Sequence, residues 1–359
     1  MTQMNNLDNR ELVAKLDTSN MLKLISGLPE QCKEAYEIGR ESKVSKPKNQ
    51  INNIVFAGLG GSAIGADIVR IYLQNELELP VVVSRNYTLP NFVGKNTLLF
   101  CASYSGNTEE TLSSFEDGLK RGANIITMGS GGKLKELSSK NGFSHVTIPS
   151  GFPPRTAVGY MSISVIAILE KLGLIGDKKK EIEAVFFALN NLRDKEIGID
   201  VQTEKNISKK LALKLLGKYC IVYGTSDVTE AVSVRWRGQI AENSKALSSS
   251  HVLPEMNHNE IVGWKFPKHL LKDFKVIILR DKKDHARTGK RIEISKAIIK
   301  ESGAEIFELE RGDDSSLLAR VISLIYIGDF VSFYLAILNN IDPTPVKSVD
   351  YLKAELVKG

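Results

Sequence analysis

Short apolar runs alternate with longer amphipathic stretches through most of the chain. In the first half the apolar runs are NIVFAGL, PVVVSRNY, NTLLFCASYS, NIITMGS and HVTIPS. A strand followed by a helix and then by another strand, repeated in this way, predicts a parallel sheet with helices on both faces.

The alternation restarts near residue 219, after two helical stretches, MSISVIAILEKLGLI and EIEAVFFALNNLRDKEIG. The second set of apolar runs is YCIVYGT, SSHVLPEM, VIILRD and EIFELE, with a long helical run over residues 228–247. Each half opens with a strand that enters a turn of small residues, GLGGSAIG in one and YGTSD in the other, which indicates a divergent internal repeat. We therefore predict an α/β fold of two doubly wound parallel sheets flanked by helices.

The first fifty residues follow a different, polar pattern with apolar positions at helical spacing. They predict an N-terminal helical arm over residues 1–50, followed by one domain over 51–200 and a second over 201–359. The second domain ends in a helical segment, IDPTPVKSVDYLKAELVKG. A chain of 359 residues agrees with this division, because domains average about 150 residues.

One segment imitates a membrane-spanning helix. Residues 321–338 hold a single charge, Asp329, and are long enough to qualify. The segment also contains Gly328 and two serines, and no second stretch of the chain resembles it. We predict a helix buried in a core or a subunit interface, and no membrane partner. The pattern assigns no partner to Asp329.

The composition is that of a globular protein from a reducing compartment. Hydrophobic residues make up 42% and charged residues 25%, which excludes disordered and collagen-like chains. The three cysteines lie far apart with no CxxC pair, so neither a disulfide framework nor a zinc ribbon is expected. The polar N-terminus lacks the apolar stretch of a signal peptide, and we predict a cytoplasmic location.

The net charge is modest. The 48 basic and 42 acidic residues give +6, and the basic residues are scattered in short runs. No basic region carries the interleaved aromatic residues that stack on bases, so nucleic acid is not a predicted partner. A positive charge of this size favours anionic small molecules instead.

Two loops are candidates for binding a phosphate group. The first, GLGGSAIGAD, follows the strand NIVFA and includes Gly61 and Ser62; its glycines allow close approach of the backbone to an anion. It also satisfies a loose GxGxxA pattern for dinucleotides. The end of the next strand, however, is SRN, without the acid that holds a nicotinamide ribose. This disfavours NAD, while Arg85 leaves NADP open.

The second loop, SYSGNTEET, places three hydroxyl groups where a strand passes into a helix. They belong to Ser103, Ser105 and Thr108. Hydroxyls and backbone amides can surround a dianionic phosphate without a lysine or a metal. A helix N-cap is the alternative, but a cap needs only one hydroxyl. Because the chain has no GxxxxGK[ST] motif, the two loops predict a phosphate monoester rather than a nucleotide.

SYSGNTEET after a strand, with GLGGSAIGAD upstream, resembles the sugar isomerase (SIS) domain, which binds sugar phosphates. Two such units in one chain resemble the phosphoglucose isomerase superfamily. GFPPRTAVGY, AENSKAL, HNEIVGW and DPTPVKSVDYLK are similar to its short branch, the bifunctional phosphoglucose/phosphomannose isomerases. The resemblance spans roughly residue 50 to the end. It implies tandem SIS domains of flavodoxin-like topology.

The isomerisation that this family catalyses needs a base that moves a proton between C2 and C1, a group that stabilises the enediolate and an acid that opens the sugar ring. Neither a metal nor a redox cofactor is required. Glu242, in RWRGQIAENSKAL, matches the family's base, although a solvent-facing glutamate on an amphipathic helix is the alternative. Arg155, in PPRTAVGY, matches the group at the enediolate; pairing with a surface carboxylate is its alternative.

Ring opening has three further candidate residues. His258 follows Glu242 by 16 residues and matches the family's ring-opening histidine, which a partner subunit supplies across a dimer interface. Lys353 fits the family's C-terminal helical lysine better than Lys347 does, and a solvated helix lysine remains the alternative for both. Thr344 is near enough to contact a sugar hydroxyl. A homodimer with its active site at the subunit interface is therefore expected.

Two acidic residues, Glu255 and Glu260, lie near His251 and His258, but their spacing is not that of an HExxH motif. We predict no metal and no cofactor. The predicted function is interconversion of glucose 6-phosphate, and with it mannose 6-phosphate, with fructose 6-phosphate. The alternatives are a non-catalytic sugar-phosphate regulator, the isomerase half of an amino-sugar synthase and an NADP-dependent reductase.

Overall fold

The computed structural model describes residues 7–47, 49–311, 316–356 and 358. They form two compact units. The first-sheet unit comprises the described residues of Gly27–Asn190 and Asp313–Ile322, and the second-sheet unit those of Met1–Ser26, Asn191–Gly312 and Ser323–Gly359. The predicted N-terminal arm is thus divided between the two units, and its first six residues lie outside the described range.

Nine strands are described, in the following chain order: β1 (Asn53–Ala57), β2 (Val81–Ser84), β3 (Thr97–Ala102), β4 (Asn124–Gly129), β5 (Ser144–Thr147), β6 (Tyr219–Thr225), β7 (Ser248–Leu253), β8 (Phe274–Arg280) and β9 (Glu305–Glu310). The α-helices of the described residues are α1 (Arg10–Leu16), α2 (Met21–Ser26), α3 (Leu28–Glu41), α4 (Gly60–Leu73), α5 (Glu109–Lys120), α6 (Gly132–Lys140), α7 (Val158–Lys171), α8 (Lys179–Leu192), α9 (Ile207–Leu215), α10 (Glu230–Ser244), α11 (Lys268–Leu271), α12 (Ala286–Glu301), α13 (Leu317–Leu338) and α14 (Lys347–Leu356). Each apolar run in the sequence corresponds to one of these strands.

The first sheet contains five parallel strands in the order β2-β1-β3-β4-β5. Every residue of β3 is buried, and Val55 of β1 lies beside Leu99 of β3 in the register. Their side chains pack with Phe115 of α5 and Leu134 of α6 in one apolar core. A strand that is covered on both faces requires a continuous apolar run. The apolar runs NIVFAGL and NTLLFCASYS accordingly form the inner strands β1 and β3.

The second sheet contains four parallel strands in the order β7-β6-β8-β9. Its winding repeats that of β2-β1-β3-β4, as a divergent internal repeat predicts. Ile221, Val276 and Ile278 from its two central strands pack against Ile292 and Ile299 of α12. The predicted α/β class with two parallel sheets is confirmed.

In the first sheet the strand order reverses between β1 and β3. The chain leaves these neighbouring strands toward opposite sides, which opens a crevice beyond their carboxyl ends where ligands bind in sheets of this kind. The loops that follow β1 and β3 are the two loops that the sequence predicts to hold a phosphate.

The apolar segment near the C-terminus belongs to α13. By length and composition α13 is apolar enough to cross a membrane, with a mean hydropathy of 2.1 in its most apolar window. Yet 94% of that window is buried inside the protein. Burial to this extent is typical of a core helix, which is what the serines and Asp329 in this segment predict.

Candidate active site

The glycine loop, residues 58–62, connects β1 to α4. Gly60 has a positive φ of 52°, which glycine adopts without strain. A methyl group at Gly58 would lie 2.8 Å from the carbonyl oxygen of Ala102, so this position has no room for a side chain. Leu59 precedes α4 and cannot cap it with its side chain, and the first turn of the helix therefore presents backbone N–H groups.

The hydroxyl loop, residues 103–108, connects β3 to α5. The Oγ of Ser103 lies 2.8 Å from Oγ1 of Thr108 and accepts a hydrogen bond from the Gly106 amide at 3.1 Å. Ser105 is exposed, and its Oγ accepts from the amide of Asn107. Thr108 occupies the N-cap position of α5 but makes no side-chain cap bond to the helix. The helix-cap alternative therefore does not account for its hydroxyl group.

The two loops lie side by side. The amide of Tyr104 donates to Oγ of Ser62 at 3.3 Å, which joins the hydroxyl loop to the first turn of α4. Two helix starts without side-chain caps, on adjacent strands of one sheet, thus share an edge with a group of hydroxyls. Helix N-termini and hydroxyl donors together suit an anion such as a phosphate group.

Arg155 lies against the same edge. It belongs to a 3₁₀ turn, Pro154–Thr156, and is only 4% exposed. A methyl group at Gly61 would lie 2.7 Å from the Pro154 carbonyl oxygen and 3.5 Å from the Arg155 Cα, so the turn packs on the first turn of α4. The structure therefore brings the backbone of Arg155 against Gly61, the neighbour of Ser62. Pairing with a carboxylate remains the alternative for its guanidinium.

Tyr104 was missed by the sequence reasoning, because an aromatic residue between two serines gives no signal of its own. Its hydroxyl group donates to the Pro149 carbonyl at 3.1 Å and accepts from the Phe152 amide at 2.8 Å. Burial raises the pKa of Tyr104, so the phenol stays protonated and can donate. It ties the hydroxyl loop to the segment that leads into the Arg155 turn.

Arg85, which left an NADP site open, forms an ion pair with Asp67 of α4. Asp67 is buried and also lies near Arg70, one turn further along the same helix. A carboxylate bound at this guanidinium would repel the 2′-phosphate of NADP. The structure therefore weakens the nicotinamide alternative.

In the second-sheet unit, Glu242 lies near the end of α10 and is half-buried. The helix is attached to α13 through buried polar groups. Arg235 donates two hydrogen bonds to Asp329, of 2.7 and 3.1 Å, and Gln239 donates a third of 2.9 Å. Asp329, which the sequence left without a partner, thus holds the helix that carries Glu242.

The end of α10 is also connected to the segment that contains Thr344. Lys245 adopts a left-handed conformation with a φ of 54° and terminates the helix. Its ammonium group donates to the carbonyl oxygens of Glu242, at 2.6 Å, and Pro343, at 2.9 Å. Within this unit, therefore, the structure places Thr344 close to the helix end that bears Glu242.

His258 ends a short 3₁₀ turn, Glu255–His258, that follows β7, and it is exposed. The segment after it is held by Glu260, which accepts a hydrogen bond from Tyr223 and contacts Nδ1 of His251 at 3.2 Å. Trp264 donates to the Tyr223 hydroxyl at 3.1 Å. Burial, followed by the Glu260 carboxylate, raises the pKa of Tyr223, so it too remains a donor. Glu260 thus serves to anchor the loop of His258.

Lys353 lies on α14, and Lys347 is the first residue of the same helix. Both are exposed, and none of the residues of α14 with a described side chain is buried. The structure confirms a helix at this position but does not bring either lysine to Glu242 or His258. The choice between the two lysines stays a prediction.

Comparison with known proteins first defines the class. A hypothetical protein from Thermus thermophilus superimposes with a TM-score of 0.73, covering 99% of this chain and 95% of that one at 15% identity, which shows a shared fold. The family model of the bacterial phospho-glucose isomerase C-terminal SIS domain matches residues 204–356. Residues 204–356 therefore match an SIS domain of the kind found in bacterial phospho-glucose isomerases.

Two relatives then show to which family of isomerases the chain belongs. A bifunctional phosphoglucose/phosphomannose isomerase of Caldicellulosiruptor bescii is 46% identical over 94% of this chain and 99% of its own length. Another of the same name, from Aquifex aeolicus, is 38% identical over 88% of this chain and 93% of its own. The chain belongs to the family of bifunctional phosphoglucose/phosphomannose isomerases.

Proposed function

We propose that this protein interconverts glucose 6-phosphate and mannose 6-phosphate with fructose 6-phosphate. The observation that carries the proposal is 46% identity through 94% of the chain to a relative named for both activities. The geometry agrees with it. Two helix starts and a group of hydroxyls on one sheet edge suit the phosphate that all three sugars share.

We further propose that both sheets belong to tandem SIS domains, the first of which binds the phosphate. Glu242 removes the proton from C2 of the aldose and returns it to C1 through a cis-enediolate, while Arg155 stabilises the developing oxyanion. His258 and Lys353 open the ring, and Thr344 contacts a sugar hydroxyl. The reaction moves protons only, so it needs no cofactor.

The proposal includes a cytoplasmic homodimer in which the partner subunit supplies the ring-opening histidine. The exposure of His258 supports this part, because a group that acts on a neighbouring subunit has to lie at the surface.

A coupled assay tests the function. Purified, EDTA-treated protein is given fructose 6-phosphate, and glucose-6-phosphate dehydrogenase reports the formation of glucose 6-phosphate. In the second arm mannose 6-phosphate is the only sugar, so a signal requires both activities of this protein. We expect turnover in both arms.

Glu242→Gln is expected to abolish turnover, because an amide of the same shape cannot accept the C2 proton. Glu230→Gln is the matched control, since Glu230 is at the opposite end of the same helix α10. Turnover from fructose 6-phosphate alone would restrict the enzyme to glucose. Binding of both sugars without any turnover would replace the proposal with a sugar-phosphate regulator.

A further inference from the structure

A buried side chain of helix α3, that of Gln31, is hydrogen-bonded to the turn that contains Arg155. Gln31, in α3, is 3% exposed. Its Nε2 donates to the carbonyl oxygen of Thr156 at 2.9 Å, and its Oε1 accepts from the amides of Gly159, at 2.7 Å, and Tyr160, at 3.3 Å. One amide group thus joins both ends of the segment 156–160.

Gln31 fills the place of a missing helix cap. The first N–H groups of a helix have no partner within it, and a side chain at the N-cap usually accepts from them. The N-cap of α7 is Ala157, which has no such group. Oε1 of Gln31 accepts from two of these donors instead, so α3 fixes where α7 begins. A methyl group at Gly159 would lie 2.7 Å from this Oε1, so the close approach of Gln31 requires glycine at this position.

The Nε2 end of the Gln31 amide donates its hydrogen bond to the turn that contains Arg155. Thr156 is the last residue of the turn Pro154–Thr156 and the neighbour of Arg155. The turn also packs on Gly61 at the start of α4. It therefore contacts both the glycine loop and Gln31, and removal of the Gln31 bonds takes away one of these two contacts.

We infer that Gln31 is a positioning residue for Arg155, and this inference rests on the proposed function. Among the described residues, the hydrogen bonds of Gln31 go to Thr156, Gly159 and Tyr160 and to no candidate substrate-binding group. It acts by fixing the backbone that directly follows Arg155, whose guanidinium stabilises the enediolate. Such a role predicts a loss of transition-state stabilisation with little loss of substrate binding, because the two phosphate-binding loops have their own contacts.

The same helix pair supplies a matched control. The hydroxyl group of Tyr36, also on α3, donates to Glu170 near the end of α7 at 2.8 Å. Tyr36→Phe removes a hydrogen bond between α3 and α7 at the end away from Arg155. If Gln31 served only to attach the two helices, Gln31→Met and Tyr36→Phe would affect activity alike.

The experiment measures kcat and KM for fructose 6-phosphate on the full-length chain, at a temperature where circular dichroism shows every variant folded. We expect Gln31→Met to lower kcat by about ten- to a hundredfold, the range caused by displacing a catalytic group by about 1 Å. KM should stay near the wild-type value. Tyr36→Phe should keep the wild-type kcat even if it melts earlier.

A double variant separates positioning from other effects. Gln31 acts through Arg155, so Gln31→Met should lower kcat no further once Arg155→Met is present. If Gln31→Met does not fold, kcat is measured for Gln31→Glu as a function of pH. The new carboxyl group keeps the oxygen that caps α7; it can donate to the Thr156 carbonyl when protonated and cannot when ionised. Relative to wild type, kcat should therefore fall as the pH rises through the pKa of this group.

The outcomes are distinct. An inactive wild-type protein would refute the proposed function and not the contacts of Gln31. An active wild type whose Gln31 variants keep the wild-type kcat would overturn the inference. So would an additional loss in the double variant with Arg155→Met.

Discussion

Replacing Asp329 with asparagine is expected to destabilise the second-sheet unit strongly, because it removes the carboxylate that is paired with the buried guanidinium of Arg235. The side chains of Arg235 and Asp329 are only 3% and 6% exposed, and two hydrogen bonds join them. Removing one partner of such a pair costs about 3–5 kcal/mol. Total stabilities are about 5–15 kcal/mol, so the loss is a large part of what holds the protein folded.

The measurement is urea unfolding followed by circular dichroism, with the free energy of unfolding compared between variants. Lys214→Met is the control, since it breaks the exposed Lys214–Glu305 pair and should cost no more than about 1 kcal/mol. A double variant, Arg235→Leu with Asp329→Leu, buries no charge and should recover most of the loss.

Two results would refute this reasoning. If Asp329→Asn costs under about 1 kcal/mol, other groups around the guanidinium compensate for the lost carboxylate. If the double variant is as unstable as the single one, the loss comes from packing rather than from the buried ion pair. Gln239 loses its acceptor in the double variant, which accounts for about 1–3 kcal/mol of any remaining deficit.

The remaining predictions concern the dimer and acid stability. Mixing inactive Glu242→Gln and His258→Ala subunits should restore about a quarter of the wild-type activity, because half of the dimers are mixed and each holds one intact site; no recovery would assign both groups to one subunit. Although burial opposes the shift, hydrogen bonds from Lys296 and Arg280 hold the pKa of Glu308 below its ordinary value. The stability from these contacts is therefore present above about pH 4.3 and lost as the pH falls through the folded pKa. Glu308→Gln should flatten this acid end of the unfolding curve, and an unchanged slope would contradict the assignment.

The sequence predicts the strands well because their signal is local. An apolar run such as TLLFCA is too short for a buried helix and is followed by turn residues, which favours a strand that is buried on both faces. The hydroxyl loop is predictable for the same reason. Three hydroxyls within six residues after a strand exceed what a helix cap needs, and the structure leaves the Thr108 hydroxyl out of the cap.

Contacts between distant parts of the chain give no such signal. Asp329 and Arg235 are 94 residues apart, and Gln31 and Gly159 are 128 residues apart. Neither pair shows a spacing or a motif. The polar arm of residues 1–50 predicts helices correctly, yet nothing in its pattern shows that Gln31 supports a turn near residue 155.

The polar contacts between α10 and α13 also fix the helix that carries Glu242. Arg235, Gln239 and Asn243 recur every four residues, so they lie on one stripe of α10, and all three bond to Asp329 or Ser332 of α13. An apolar stripe would bury equally well but would tolerate rotation or sliding of the helix, whereas hydrogen bonds to fixed partners do not. Glu242 follows Arg235 by seven residues and Gln239 by three, so it lies at the edge of this stripe, about 60° from its centre. The buried ion pair that stabilises the unit thus also fixes the helix on which the half-buried Glu242, the proposed base, lies.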